Sequence, residues 1–167
     1  MNWPNLLARR PWSAALVLGF SMPLLSLPVN LGTGLLAYAL LPATWFGKSA
    51  ASQVGELGPW GFLTVGVLVM PFLETIVGQG APIELLRRLR FPPPACVIAS
   101  GAFFGSLHWL GGGLGHGLAT WATGCLFALA YWLCRPAGFW ASATSAYAAH
   151  ATHNFLAWFV LRPLAGS

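Results

Sequence analysis

The stretch Pro71-Phe-Leu-Glu-Thr-Ile-Val-Gly-Gln79 puts one ionisable residue, Glu74, inside an apolar run that otherwise has the composition of a membrane span. A carboxylate in hydrocarbon is costly and is kept only with a partner or a job. Which groups can meet Glu74 therefore decides how the rest of the chain is read. Of the 167 residues, 57% are hydrophobic and 7% charged, with mean hydropathy +0.70. A soluble domain carries roughly 25% charged residues, and three acids with eight bases cannot coat a globule of this length in water. The reading is an integral, multi-pass membrane protein, an all-α polytopic membrane helix bundle of five to six transmembrane helices.

The net charge of +5 does not indicate nucleic acid, because the bases are few and sit at the ends of apolar segments, where they meet headgroups. Cys96, Cys125 and Cys134 lie within or at the end of apolar runs and read as small core residues rather than a disulfide framework or zinc cluster.

Working outward, an apolar stretch from Trp12 to about Leu27 follows Arg9 and Arg10 and reads as an uncleaved anchor helix. Pro28 and Asn30 are expected to interrupt it, and a second, short run covers Leu31 to Phe46. Residues 47–58 are the most polar stretch and read as a loop. The run carrying Glu74 starts near Pro59, passes Pro82, and ends amphipathically with Arg87, Arg88 and Arg90. Pro92-Pro93-Pro94 forces a turn. Further spans are expected over Ala95–Leu110, Leu114–Cys134 and about Gly138–Leu161. The expected organisation is one membrane domain, with residues 1–58 as anchor, second segment and loop, and 59–167 as a helix core. If residues 31–46 do not cross, Arg9, Arg10, Arg87, Arg88, Arg90 and Arg135 share one side, and Lys48 and Arg162 the other. If they do cross, the split is four against four, so the positive-inside tendency favours the first arrangement, with the arginine turn cytoplasmic.

Four histidines, His108, His116, His150 and His153, occupy the last third. Glu74 precedes Phe91 by about as many residues as His108 follows it. Continuous helices on both sides would place the two side chains at one level, roughly 25 Å from the turn; this requires a helix that tolerates Pro82. Phe104 and His108 are four apart, as are His150 and Asn154, so each pair shares a helix face. Gly101, Gly105 and the Ala/Ser/Thr-rich stretch 141–152 allow close helix approach, although such residues are also ordinary membrane packing. His153 is a further candidate for the same cavity. His116 is expected near the membrane face, Glu84 in an ion pair with Arg87 and Arg88, and Glu56 as a loop charge.

Taken in order, Glu74-Thr-Ile-Val-Gly-Gln79, Phe104-Gly-Ser-Leu-His108 and His150-Ala-Thr-His-Asn154 resemble the CPBP family. These are the CAAX prenyl endopeptidases of the Ras-converting type and their bacterial (Abi) relatives, including bacteriocin-processing and immunity proteins. The resemblance covers about residues 59–161. The family's first motif is usually EExxxR, whereas this chain has Thr75 and Gln79 at the second acid and the arginine. Losing both together removes an ion pair without stranding either charge.

The resemblance implies hydrolysis of a peptide bond in a membrane-associated protein or peptide, in a bacterial inner membrane. Glu74 would activate a water beside His108, and His150 and Asn154 would stabilise the oxyanion. No cofactor is favoured. A divalent metal such as zinc, held by Glu74, His108 and His150, is the alternative, without an HExxH motif or an evident second-shell carboxylate. A rhomboid-type serine site at Ser106 does not fit the sequence Gly105-Ser106-Leu107. A non-proteolytic protein, such as a chaperone-like binder, an immunity factor or a proton or ion pathway, would use the same polar cluster.

Overall fold

The computed structural model describes residues 3–164 and is built of helices. A short N-terminal helix α1 (Trp3–Arg9) leads into α2 (Pro11–Ser21) and α3 (Pro23–Leu40), which run on as one apolar 30-residue segment, Pro11–Leu40. The interruption expected at Pro28 and Asn30 is therefore not a break. Pro28 sits inside α3, and Asn30 donates to Thr123 Oγ1 at 3.0 Å. That bond gives a half-buried amide a partner on another helix, which is how membrane helices accommodate such residues. Residues 31–40 accordingly complete the first pass instead of making a second one.

A 3₁₀ turn (Ala43–Trp45) and the short helix α4 (Ala50–Gly55) cap this end of the bundle. The next helix, α5 (Gly58–Arg88), carries Glu74 and passes through both Pro71 and Pro82. Two π-helical stretches, Phe62–Val69 and Thr75–Gly80, precede these prolines. Helix α6 (Pro93–Cys134) folds back on itself at Gly113, whose φ of 79° suits a residue without Cβ. The two halves pack as a hairpin, with Gly101 against Cys125 and Gly105 against Gly117 and Trp121. Helix α7 (Phe139–Leu156) packs its buried Ala and Ser residues against α2, where Gly19 meets Ala148 and Ser145.

The described residues thus pass through the bundle five times. Arg9, Arg10, Arg87, Arg88, Arg90 and Arg135 share one end, and Lys48 and Arg162 the other. Two contacts fix the ends: Gly47 N–H donates to Gly112 O at 2.9 Å, and Arg135 binds Glu84 across the opposite end.

Candidate active site

Glu74 lies midway along α5, just before the second π-helical stretch. Its Oε1 is 3.9 Å from His108 Nε2, and its Oε2 is 3.5 Å from His150 Nε2. Three residues from three helices therefore meet at the shared level that the spacing around Phe91 predicts. The carboxylate is held slightly beyond hydrogen-bond distance of both rings.

His108 is oriented from behind. Its Nδ1 is 2.9 Å from Phe104 O, and because a carbonyl only accepts, Nδ1 carries the proton. In the neutral ring Nε2 is then a bare acceptor facing Glu74. Phe104 is fixed in turn, its ring set against Gly78 and Gly124, where an added Cβ would come within 2.9 and 2.8 Å of it. The four-residue Phe104–His108 spacing thus supplies both a carbonyl and a packing anchor. His150 is almost fully buried, with Phe127 stacked on it at 4.7 Å between centroids. Its Nδ1 has no hydrogen-bond partner.

Asn154 lines the same cavity, and its Nδ2 donates to Gly66 O at 2.8 Å. The local backbone explains this bond. Met70 N–H bonds back five residues to Val65 O, and the next bond of that series would run from residue 71 to Gly66. Residue 71 is proline and has no N–H to give, so Asn154 takes the vacant carbonyl. Near Pro82, which likewise has no N–H, the buried Ser100 Oγ donates to Gly78 O, four residues before it, at 2.9 Å. One amide hydrogen of Asn154 is therefore structural, on a side chain that also lines the cavity.

The cavity has a volume of about 330 Å³ and also takes in Asn30, His116, His153, Trp158 and Arg162. His153 hydrogen-bonds Ser26 Oγ at 2.8 Å. His116, expected at the membrane face, lies three residues past the Gly113 turn but faces inward, 5.6 Å from His108 between ring centroids. Phe127 had no motif to mark it, and Asn30 could have been flagged as a lone amide in an apolar run.

Residues 56–156 match the Rce1-like family, described as type II CAAX prenyl endopeptidase. The chain belongs to that family. The match covers more than half the sequence and spans every residue of the Glu74 cluster. Membership supports a CAAX-type intramembrane protease as the general class, and it agrees with apolar helices long enough to cross a bilayer. No curated protein and no solved structure matches the chain.

Within the family frame, the departures at Thr75 and Gln79 have a structural counterpart. Both side chains are buried, and among the described residues neither Thr75 Oγ1 nor the two polar atoms of Gln79 has a hydrogen-bond partner. The acid and the cation of the usual motif are replaced by neutral groups at buried positions, where a single unpaired charge would be most costly. Glu84 is held more firmly than a solvated helix-end pair requires. It accepts from Arg87 Nη2 at 2.9 Å, from Tyr131 Oη at 3.0 Å and from Arg135 Nη2 at 3.1 Å, which ties α5 to the end of α6. Among the described residues, no three His, Cys, Asp or Glu side chains are grouped as a metal cage. Of the two imidazoles beside Glu74, only His108 has the outer hydrogen bond that metal-bound histidines usually make.

Proposed function

We propose that the protein is an intramembrane endopeptidase in which Glu74 is the general base. The observation carrying this reading is that Glu74 and His108 present two acceptors to each other across 3.9 Å, the second fixed by the His108–Phe104 bond. A water donating one hydrogen to each satisfies both and turns its lone pair toward a peptide carbonyl. Glu74 then takes the proton as the water attacks and passes it to the leaving amine. His150, whose Nε2 lies 3.5 Å from the carboxylate, and the second amide hydrogen of Asn154 donate to the oxyanion. The substrate is a membrane-associated protein or peptide, and the setting is a multi-pass bacterial inner-membrane protein.

The step uses no metal, and zinc on Glu74, His108 and His150 is the competing mechanism. The test compares membrane proteomes of a deletion strain complemented with the unaltered chain, Thr75→Ala or Glu74→Gln. Precursors accumulate in the deletion strain, clear with the first two chains and persist with Glu74→Gln. Persistence is also what the zinc mechanism predicts, so clearance is repeated in isolated membranes with a chelator, and a chelator-sensitive reaction would favour the metal. Precursors that clear equally with Glu74→Gln would remove the protease reading and favour a binding protein.

A further inference from the structure

We propose that this site receives its substrate from the extracytoplasmic side, as a segment of an exported, membrane-anchored polypeptide. The substrate half of the inference rests on the endopeptidase reading, and the direction rests on the bundle alone.

The cavity is one-sided. From Glu74 its wall runs along α5 through Met70, Gly66 and Phe62, and along the π-helical continuation of α7 (Ala157–Leu161) through Trp158 to Arg162. Each of these residues lies toward the Lys48 and Arg162 end. Behind Glu74 the bundle is closed. Ile83, Ala128, Tyr131 and Ala146 form a cluster with no exposure, and the Glu84–Arg135–Tyr131 bonds lock the helices just beyond it. Among the described residues, the cavity thus leads to the carboxylate from the end opposite the arginines.

That end faces away from the cytoplasm by charge. Six arginines mark the closed end, against Lys48 and Arg162 at the open one, and Arg87, Arg88, Arg90, Arg135 and Lys48 lie in or beside connections short enough for the positive-inside rule to apply. At the mouth, Trp158 stacks on Phe62 at 4.0 Å between ring centroids, and the Arg162 guanidinium lies over the Trp158 ring, 3.9 Å from its centroid. Asn154 and Arg162 are eight residues apart, about 12 Å of helix, which an extended peptide covers in roughly four residues. The scissile bond then lies about four residues inside the mouth. A prenylated tail on a cytosolic protein would meet the closed end.

Orientation is read without any cleavage. The unaltered chain is expressed in a Gram-negative host with alkaline phosphatase or green fluorescent protein fused after Ser167. Ser52→Cys and Leu89→Cys, in a chain with the three native cysteines changed to alanine, are probed with a membrane-impermeant maleimide on spheroplasts. Alkaline phosphatase folds only where its disulfides form. The expected result is an active phosphatase fusion, a dark fluorescent fusion, and labelling of Ser52→Cys but not Leu89→Cys until lysis. An inactive phosphatase fusion, or labelling of Leu89→Cys before lysis, overturns the proposal. The substrate half is read from new protein N-termini that disappear with Glu74→Gln. They map to exported segments, and a set confined to cytoplasmic segments overturns it. Loss of the endopeptidase reading would instead show as N-termini indifferent to Glu74, with the fusion results unchanged.

Discussion

Glu74 and Glu84 stand ten residues apart on one helix, and the protein treats their carboxylates in opposite ways. Glu84, at the arginine end, accepts hydrogen bonds from two arginines and a tyrosine and joins two helices. Glu74, deep in the bundle, has two imidazole nitrogens nearby but neither within hydrogen-bond distance. A saturated carboxylate contributes to holding the fold together. An unsaturated one in a cavity is costly for the fold but retains the free lone pairs that a base needs. The difference sets a structural Glu84 against a Glu74 whose environment supports the role of base proposed for it, although both are rare acids in an apolar chain.

The contrast is most exposed to Glu74→Gln. Cleavage per folded molecule should fall about a thousandfold or more, as loss of a general base does, while thermal stability in detergent stays level or rises. His150→Ala tests the oxyanion assignment, with an expected loss of roughly a hundredfold in turnover. Glu84→Gln inverts the pattern: it should destabilise by about 2 kcal/mol, since it leaves arginines without their acid, yet leave cleavage per folded molecule within a few-fold. Gln79→Arg should also destabilise, by placing a lone cation at a fully buried site. Adding Thr75→Glu should recover much of that loss in a double-mutant cycle, by restoring the family's charge pair. Smallest is Ser100→Ala, which removes the donor to Gly78 O and should cost about 1 kcal/mol, the scale of interhelical hydrogen bonds in membranes.

Much of the Glu74 cluster was legible in the sequence. Counting residues on each side of Phe91 places Glu74 and His108 at one level because α5 stays continuous through Pro82. The four-residue spacings place Phe104 behind His108, and Asn154 in the cavity with His150. The arginine split also follows from sequence, once residues 31–40 are assigned to the first pass. Pro28 was misleading there, since in a helix surrounded by apolar neighbours a proline need not end the helix. The π-helical stretches were not legible, and with them went the role of Asn154 toward Gly66 O. Nothing in a residue pattern says which carbonyl a distant proline leaves vacant. The inward turn of His116 and the stacking of Phe127 on His150 depend on how the α6 hairpin packs, a tertiary fact with no local signature. The three donors on Glu84 were half legible: Arg87 lies at helical spacing, but Tyr131 and Arg135 arrive from another helix.

The most direct measurement is the rate at which a precursor accumulated in the deletion strain is cut in lipid nanodiscs, per folded molecule, by the Glu74→Gln and Glu84→Gln chains. The account predicts that the Glu84→Gln chain, though less stable, cuts close to the unaltered rate and that the Glu74→Gln chain, fully folded, does not cut. A folded Glu74→Gln chain that cuts at the unaltered rate would contradict it.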